Sequence, residues 1–205
     1  MGYLKEYQWE LVPESLPVVK RNCPKCKIKT NYINTEKFRV NANKNNIDIW
    51  LIYQCEKCKS TYNMTIYERI NPYDITKNEY ERFLANDKKL AKEYGFNIGI
   101  HNLNKAELIL ENIQYDVIKR EKDEYCANEN EIAIDIYCKY PIELRVDKLL
   151  CDNFSISRSK MKNMYEKGLI FRDESKSLLK SKLKNGMKVH ILRLEDRKYK
   201  KVWTI

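Results

Sequence analysis

Two Cys-x-x-Cys pairs, Cys23-Pro24-Lys25-Cys26 and Cys55-Glu56-Lys57-Cys58, stand 28 residues apart in this 205-residue chain. A gap of two residues turns both sulfurs of a pair toward one ion, and two such knuckles complete a tetrahedron. The spacing predicts a structural Zn²⁺ held by four thiolates, with no open position for a substrate. Two alternatives share the pattern: an iron–sulfur cluster, which four cysteines also hold, and four unligated buried thiols. A redox pair of the thioredoxin kind sits at a helix start in a βαβ unit, and neither pair here has that setting. Between the pairs, Phe38-Arg39-Val40 and Ile47 to Tyr53 read as strands joined by a turn at Asn43-Lys44-Asn45-Asn46, a β-hairpin. Trp50, Tyr53, Tyr62 and Tyr67 surround the second pair; they are expected to pack over a small metal core, with stacking on unpaired bases as the alternative. Cys126, Cys138 and Cys151 have no paired spacing and read as small buried hydrophobes.

Downstream, Asp74 is the expected N-cap of a helix with Ile75, Tyr80, Phe83, Leu84, Leu90 and Ala91 on its apolar face, ended by Gly95. A second helix is expected from Asn104 to Leu110. Strands are expected at Ile113 to Ile118 and Ile132 to Tyr137, with the loop Ala127-Asn128-Glu129-Asn130 between them. Val146, Leu149, Leu150 and Phe154 then recur at helical spacing. Ser157 is the expected N-cap of a further helix, with Ile156 and Met161 placed for a hydrophobic staple and Gly168 as its stop. Short strands around Leu169-Ile170-Phe171 and Val189-His190-Ile191-Leu192, with a turn at Asn185-Gly186, close the pattern. The expected class is α+β in three consecutive parts: a zinc-ribbon-like β unit over residues 1–72, an α+β connector over 73–142, and a basic domain over 143–205.

The charge belongs to the last part. Residues 144–205 hold 17 Lys/Arg against 7 Asp/Glu, which accounts for the whole net charge of +10. A basic segment on a neutral carrier is the footprint of a polyanion binder; the alternative is a solvated basic face without a partner. Arg158 and Lys162 stand four apart on the second predicted helix of this part, Lys160 and Lys167 seven apart, and Arg145 and Lys148 three apart on the preceding helix. The start of the chain has acidic residues and Trp9 but no apolar core of a signal peptide. The longest apolar run, Ile49 to Tyr53, is too short to cross a bilayer. These features lead to the expectation of a cytoplasmic protein without membrane association. With two histidines, His101 in a loop-like stretch and His190 in an alternating strand, and with no phosphate-binding glycine motif, no catalytic centre is expected.

The run LRVDKLLCDNFSISRSKMKNMYEKGLI resembles the RNA-binding motif of the domain first seen in ribosomal small-subunit protein four, here called S-four. The matching positions are Arg145, Asp147 and Leu150, then Ser157 and Arg158, then Gly168, Ile170 and Gly186. Phe171 to Glu174 and Met187 replace the residues usual in that domain. The resemblance implies an S-four-like fold over 143–205 and RNA contacts by Arg145, Lys148, Arg158, Lys160 and Lys162; Ser157 and Lys167, on the same predicted helix, complete the expected RNA-binding set. The segments CPKC, FRVNANKNNIDIWLIYQCEKC and TYNMTIYERINP are similar to a bacterial family catalogued as domain of unknown function 1062, a likeness that extends over most of the chain. Together the expectation is a non-catalytic, zinc-stabilised RNA-binding protein, for structured ribosomal or transfer RNA and through them the ribosome. The rival expectation is an adaptor whose zinc unit docks a protein and whose basic tail is not an RNA site.

Overall fold

The structure, a computed structural model, describes residues 3–43, 45–122, 129–172 and 178–192. It is α+β, with two five-stranded sheets and five α-helices among the described residues. The chain divides into two compact units, residues 15–113 and a discontinuous unit of residues 1–14 with 114–205.

The inserted unit is built on β2 (Val18–Cys23), β3 (Ile28–Asn43), β4 (Asn46–Cys55), β5 (Thr61–Ile70) and β6 (Glu107–Ile109), in the order β5-β4-β3-β2-β6 with every pairing antiparallel. The expected hairpin between the cysteine pairs is β3–β4, paired as far as Asn43 and Asn46; Lys44 at its turn lies outside the described residues. Along β4 every second residue is buried: Ile47, Ile49, Leu51, Tyr53 and Cys55. That row meets α1 (Lys77–Leu84) and α2 (Lys88–Gly95), whose Phe83, Leu90 and Ala91 share the same core. Burial of each large side chain there stabilises by roughly 1.5–3 kcal/mol. The expected N-cap Asp74 lies instead in a single 3₁₀ turn, Pro72–Asp74. Thr76 caps α1 by accepting from Glu79 N at 3.2 Å, and Asp87 caps α2 by accepting from Leu90 N at 2.7 Å. Two caps within a dozen residues split the one expected helix, and Asn86 between them takes a left-handed φ of 54°. Gly95 is the last residue of α2, as expected.

The helix expected at Asn104 to Leu110 is not there. α3 (Ile98–Leu103) precedes it, capped by Asn97, and Glu107–Ile109 is the edge strand β6 paired with β2. Asn104 ends α3 and uses its side-chain amide as a substitute strand: Oδ1 accepts from Thr65 N at 2.9 Å and Nδ2 donates to Thr65 O at 2.8 Å.

The discontinuous unit has β1 (Tyr3–Pro13), β7 (Tyr115–Glu121), β8 (Glu129–Cys138), β9 (Ile170–Phe171) and β10 (Met187–Leu192), in the order β7-β1-β8-β10-β9. The strands expected at Ile113 to Ile118 and Ile132 to Tyr137 are β7 and β8 with shifted ends, and Glu129-Asn130 of the expected loop already belong to β8. Ala127 and Asn128 lie outside the described residues. β1 runs parallel to β8 and antiparallel to β7, so the N-terminal segment is a central strand of this sheet rather than part of the cysteine unit. The three consecutive parts read from sequence therefore do not map one to one on the two units. Tyr7, Trp9 and Leu11 of β1 join Ile132, Ile134 and Ile136 of β8 and Met187, Val189 and Ile191 of β10 on the buried face. α4 (Val146–Phe154) and α5 (Arg158–Glu166) supply Val146, Leu149, Leu150, Phe154, Met161 and Met164 to the same core, and Trp9 meets Phe154 with ring centroids 5.4 Å apart. Ser157 caps α5 as expected, accepting from Lys160 N at 3.2 Å. Gly168, at φ +70°, closes it while Leu169 N donates back to Met164 O at 2.9 Å.

Candidate metal centre and basic recess

The metal centre is assembled by neighbouring strands. Cys23 ends β2 and Cys55 ends β4, with β3 hydrogen-bonded between them, and Cys26 and Cys58 follow in the turns. Both turns are built alike. Lys27 N donates to Cys23 O at 2.8 Å and Lys59 N to Cys55 O at 3.0 Å, and both lysines are left-handed, at φ 58° and 60°. This bend carries the second sulfur of each pair back toward the first.

All four sulfurs lie within 4.8 Å of one another. Cys23 Sγ is 3.5 Å from Cys58 Sγ, and Cys26 Sγ is 4.0 Å from Cys55 Sγ. A tetrahedral ion at the Zn–S distance of about 2.3 Å needs sulfurs about 3.8 Å apart. The donor set therefore fits a structural metal, and the four positions are the ones the spacing predicted. Cys23 and Cys55 are buried and Cys26 and Cys58 half-buried, which leaves the cluster small access to solvent.

Ser60, two residues past the second pair, packs against two of these sulfurs. Its Oγ lies 3.3 Å from Cys23 Sγ and 3.1 Å from Cys58 Sγ. The Ser60 hydroxyl, helped at Cys23 by Tyr32, holds the thiols of Cys23 and Cys58 below their ordinary range. Hydrogen bonding with Cys58, together with burial, pushes Cys26 the other way. A hydroxyl that donates to a thiolate stabilises the ionised form a metal needs. Tyr53 is fully buried, and Tyr62 packs edge-on to Tyr32 and under the Arg21 guanidinium, 3.5 Å from its centroid. Tyr67 donates to Glu79 at 3.3 Å. These tyrosines are core and network residues, as expected. Trp50 faces the other side of the sheet, under Arg39 at 5.9 Å.

The basic residues fall in the discontinuous unit and do not all converge. Arg145, Arg158 and Lys162 line one recess of about 320 Å³ together with Tyr165, Leu179 and Lys180. Lys148, Ser157, Lys160 and Lys167 do not line it; Lys148 and Lys167 are exposed, and Ser157 serves as the helix cap. Arg145 reaches Asp147 with two hydrogen bonds, 2.9 and 2.6 Å, and Lys162 pairs with Glu166 at 3.5 Å. Lys180 was not among the expected residues. Only the fold brings its segment beside α4, through Asp147 N to Leu179 O at 3.2 Å and Val146 N to Ser181 O at 3.1 Å.

His101 lies in α3 rather than in a loop. It is fully buried, with Nε2 2.9 Å from Gly95 O, and burial pushes its pKa down. His190 is half-buried on β10, as expected, with Nδ1 2.7 Å from Glu131 Oε1 and its ring stacked on Phe171 at 5.1 Å. Cys151 is buried, and burial pushes the half-buried Cys138 up to about 11; both suit the reading as small hydrophobes, while Cys126 lies outside the described residues. No helix among the described residues is long and apolar enough to cross a membrane.

A family model described as protein of unknown function (DUF1062) matches residues 40–176, two thirds of the chain. The matched span holds the second cysteine pair and α4 and α5 entire; the first pair and Lys180 lie outside it. No curated protein and no solved structure matches the chain.

Proposed function

We propose that this chain, which belongs to the DUF1062 family, is a non-catalytic, zinc-stabilised RNA-binding protein that acts on structured ribosomal or transfer RNA. The observation that carries the reading is the recess between α4 and α5, where Arg145, Arg158, Lys162 and Lys180 come together on the part of the chain that holds its whole excess charge. Cations gathered at one face contact phosphates by displacing counterions, and the helix pair beside them supplies a shape for A-form RNA. The S-four likeness of the same segment points the same way. In this reading the four cysteines bind Zn²⁺ as a structural ion: with all positions taken by thiolates, the metal organises the β2–β4 strand ends and offers no site to a substrate.

Crosslinking the protein to RNA in growing cells, with an Arg158→Glu/Lys162→Glu variant alongside, tests this reading. A defined ribosomal or transfer RNA segment enriched by the parent and lost from the folded variant is the expected result. Background crosslinking in both would overturn it.

A further inference from the structure

The recess beside α4 and α5 has a charge balance that its residue count hides. Three elements wall it: the start of α4 with Arg145 and Asp147, one face of α5 with Arg158, Lys162, Tyr165 and Glu166, and the segment carrying Leu179 and Lys180. That segment is fixed to α4 by Asp147 N to Leu179 O at 3.2 Å and to the chain just before α4 by Leu183 N to Leu144 O at 2.8 Å. The Asp147 N to Leu179 O bond and Val146 N to Ser181 O at 3.1 Å use the first two N–H groups of α4, so an anion in the recess meets side chains rather than those donors. Two of the four cations are already matched: Arg145 by a bidentate bond to Asp147, Lys162 by Glu166. Arg158 and Lys180, on facing elements, make no ion pair among the described residues.

Two unmatched cations suit a dianion better than a monoanion. An internal phosphodiester carries one charge, whereas a phosphate monoester carries about −1.5 to −2 at neutral pH. The space is also small. A recess of about 320 Å³ suits one terminal unit of a strand, whereas a continuous backbone follows an open groove. Tyr165 and Leu179 add an apolar wall against which a terminal sugar or base can rest.

We propose that this recess holds the phosphate-terminated end of an RNA strand, with the monoester between Arg158 and Lys180. The proposal rests on the RNA-binding reading of the same face and adds to it a preference for an end.

The test uses the full chain, zinc-loaded, and one small hairpin RNA with unpaired ends, prepared with a 5′-phosphate, with a 3′-phosphate, or with hydroxyls at both ends. Fluorescence anisotropy at one fixed salt concentration gives the affinities. One phosphorylated form is expected to bind about ten- to a hundred-fold tighter than the hydroxyl form, the range of an added charge-assisted contact. Which form wins tells the 5′ end from the 3′ end. In Lys180→Gln, whose side chain is exposed and whose fold is checked by circular dichroism, the ratio is expected to fall toward unity. Equal affinity for all three forms would overturn the end-binding proposal and leave the RNA reading standing. A preference that survives Lys180→Gln would place the phosphate elsewhere and also overturn it. Failure of the folded protein to bind any form would instead remove the RNA reading beneath it.

Discussion

Ser60 shows how much a single hydroxyl decides at the metal centre. It lies within hydrogen-bonding reach of two of the four sulfurs and draws both toward the thiolate form. Ser60→Ala is expected to weaken metal binding by about 10–100-fold while leaving one ion per chain at saturation, as read by competition with a chromogenic chelator. The four ligands were legible because their spacing carries the chemistry by itself. Ser60 was not, because two residues past Cys58 any small residue would look the same, and its reach to Cys23 exists only once β2 and β4 pair with β3 on either side of it. Gly95 is a second residue whose role needed the fold. A Cβ there would come 2.8 Å from Asn34 Nδ2, the amide that donates to Ala91 O. Gly95→Ala is expected to cost about 1–3 kcal/mol in urea unfolding, since Asn34 must give up that bond or α2 must shift.

At the scale of elements, local signals worked where the cap or the periodicity was contained in a short window. Ser157, Gly168 and the Val146–Phe154 stripe placed α4 and α5 because each cap acts within one turn. β1 was missed although Tyr7, Trp9 and Leu11 alternate inward. Its partners β8 and β7 lie more than a hundred residues away in sequence, and no local pattern names a partner. The region after Gly95 misled for a different reason: Asn97 caps a short helix earlier than the apolar residues suggest, and the following Glu107–Ile109 is claimed by the edge of β2. The turn between α4 and α5 carries strain, with Ser155 left-handed at φ 53°. Ser155→Gly is expected to raise stability by about 1 kcal/mol, measured by denaturant titration, because glycine takes that conformation without the Cβ penalty. Ser157→Ala should lower it by a similar amount, about 1 kcal/mol, through the lost cap.

The whole molecule joins two separately cored units, and its response to conditions follows from what each contains. In the discontinuous unit Glu6, Lys122, Asp135 and Lys188 form an alternating network; Lys122 and Lys188 both reach Glu6 and Asp135. The hydrogen bond from Lys188 holds the Glu6 carboxyl below its ordinary range. At Asp135 burial opposes ionisation, and the two ammonium groups outweigh it. Carboxyls depressed in the folded state contribute stability that is complete above the ordinary carboxylate range and is lost as pH falls through and below it. Unfolding curves for a Glu6→Gln/Asp135→Asn variant are therefore expected to vary less than the parent's between neutrality and about pH 3. In the inserted unit, a metal on the four cysteines would link the ends of β2 and β4. Cys55→Ser is expected to abolish stoichiometric metal binding and to lower the melting temperature, as followed by metal analysis and circular dichroism.

The measurement closest to the central claim is the affinity for a structured RNA, such as bulk transfer RNA, across a series of salt concentrations, for the parent and for Arg158→Glu/Lys162→Glu. The account predicts a logarithmic slope of several units, about 0.7–0.9 for each phosphate contact, and a clearly shallower slope with weaker binding in the variant. A flat salt response, or equal slopes and affinities in the two folded proteins, would contradict it.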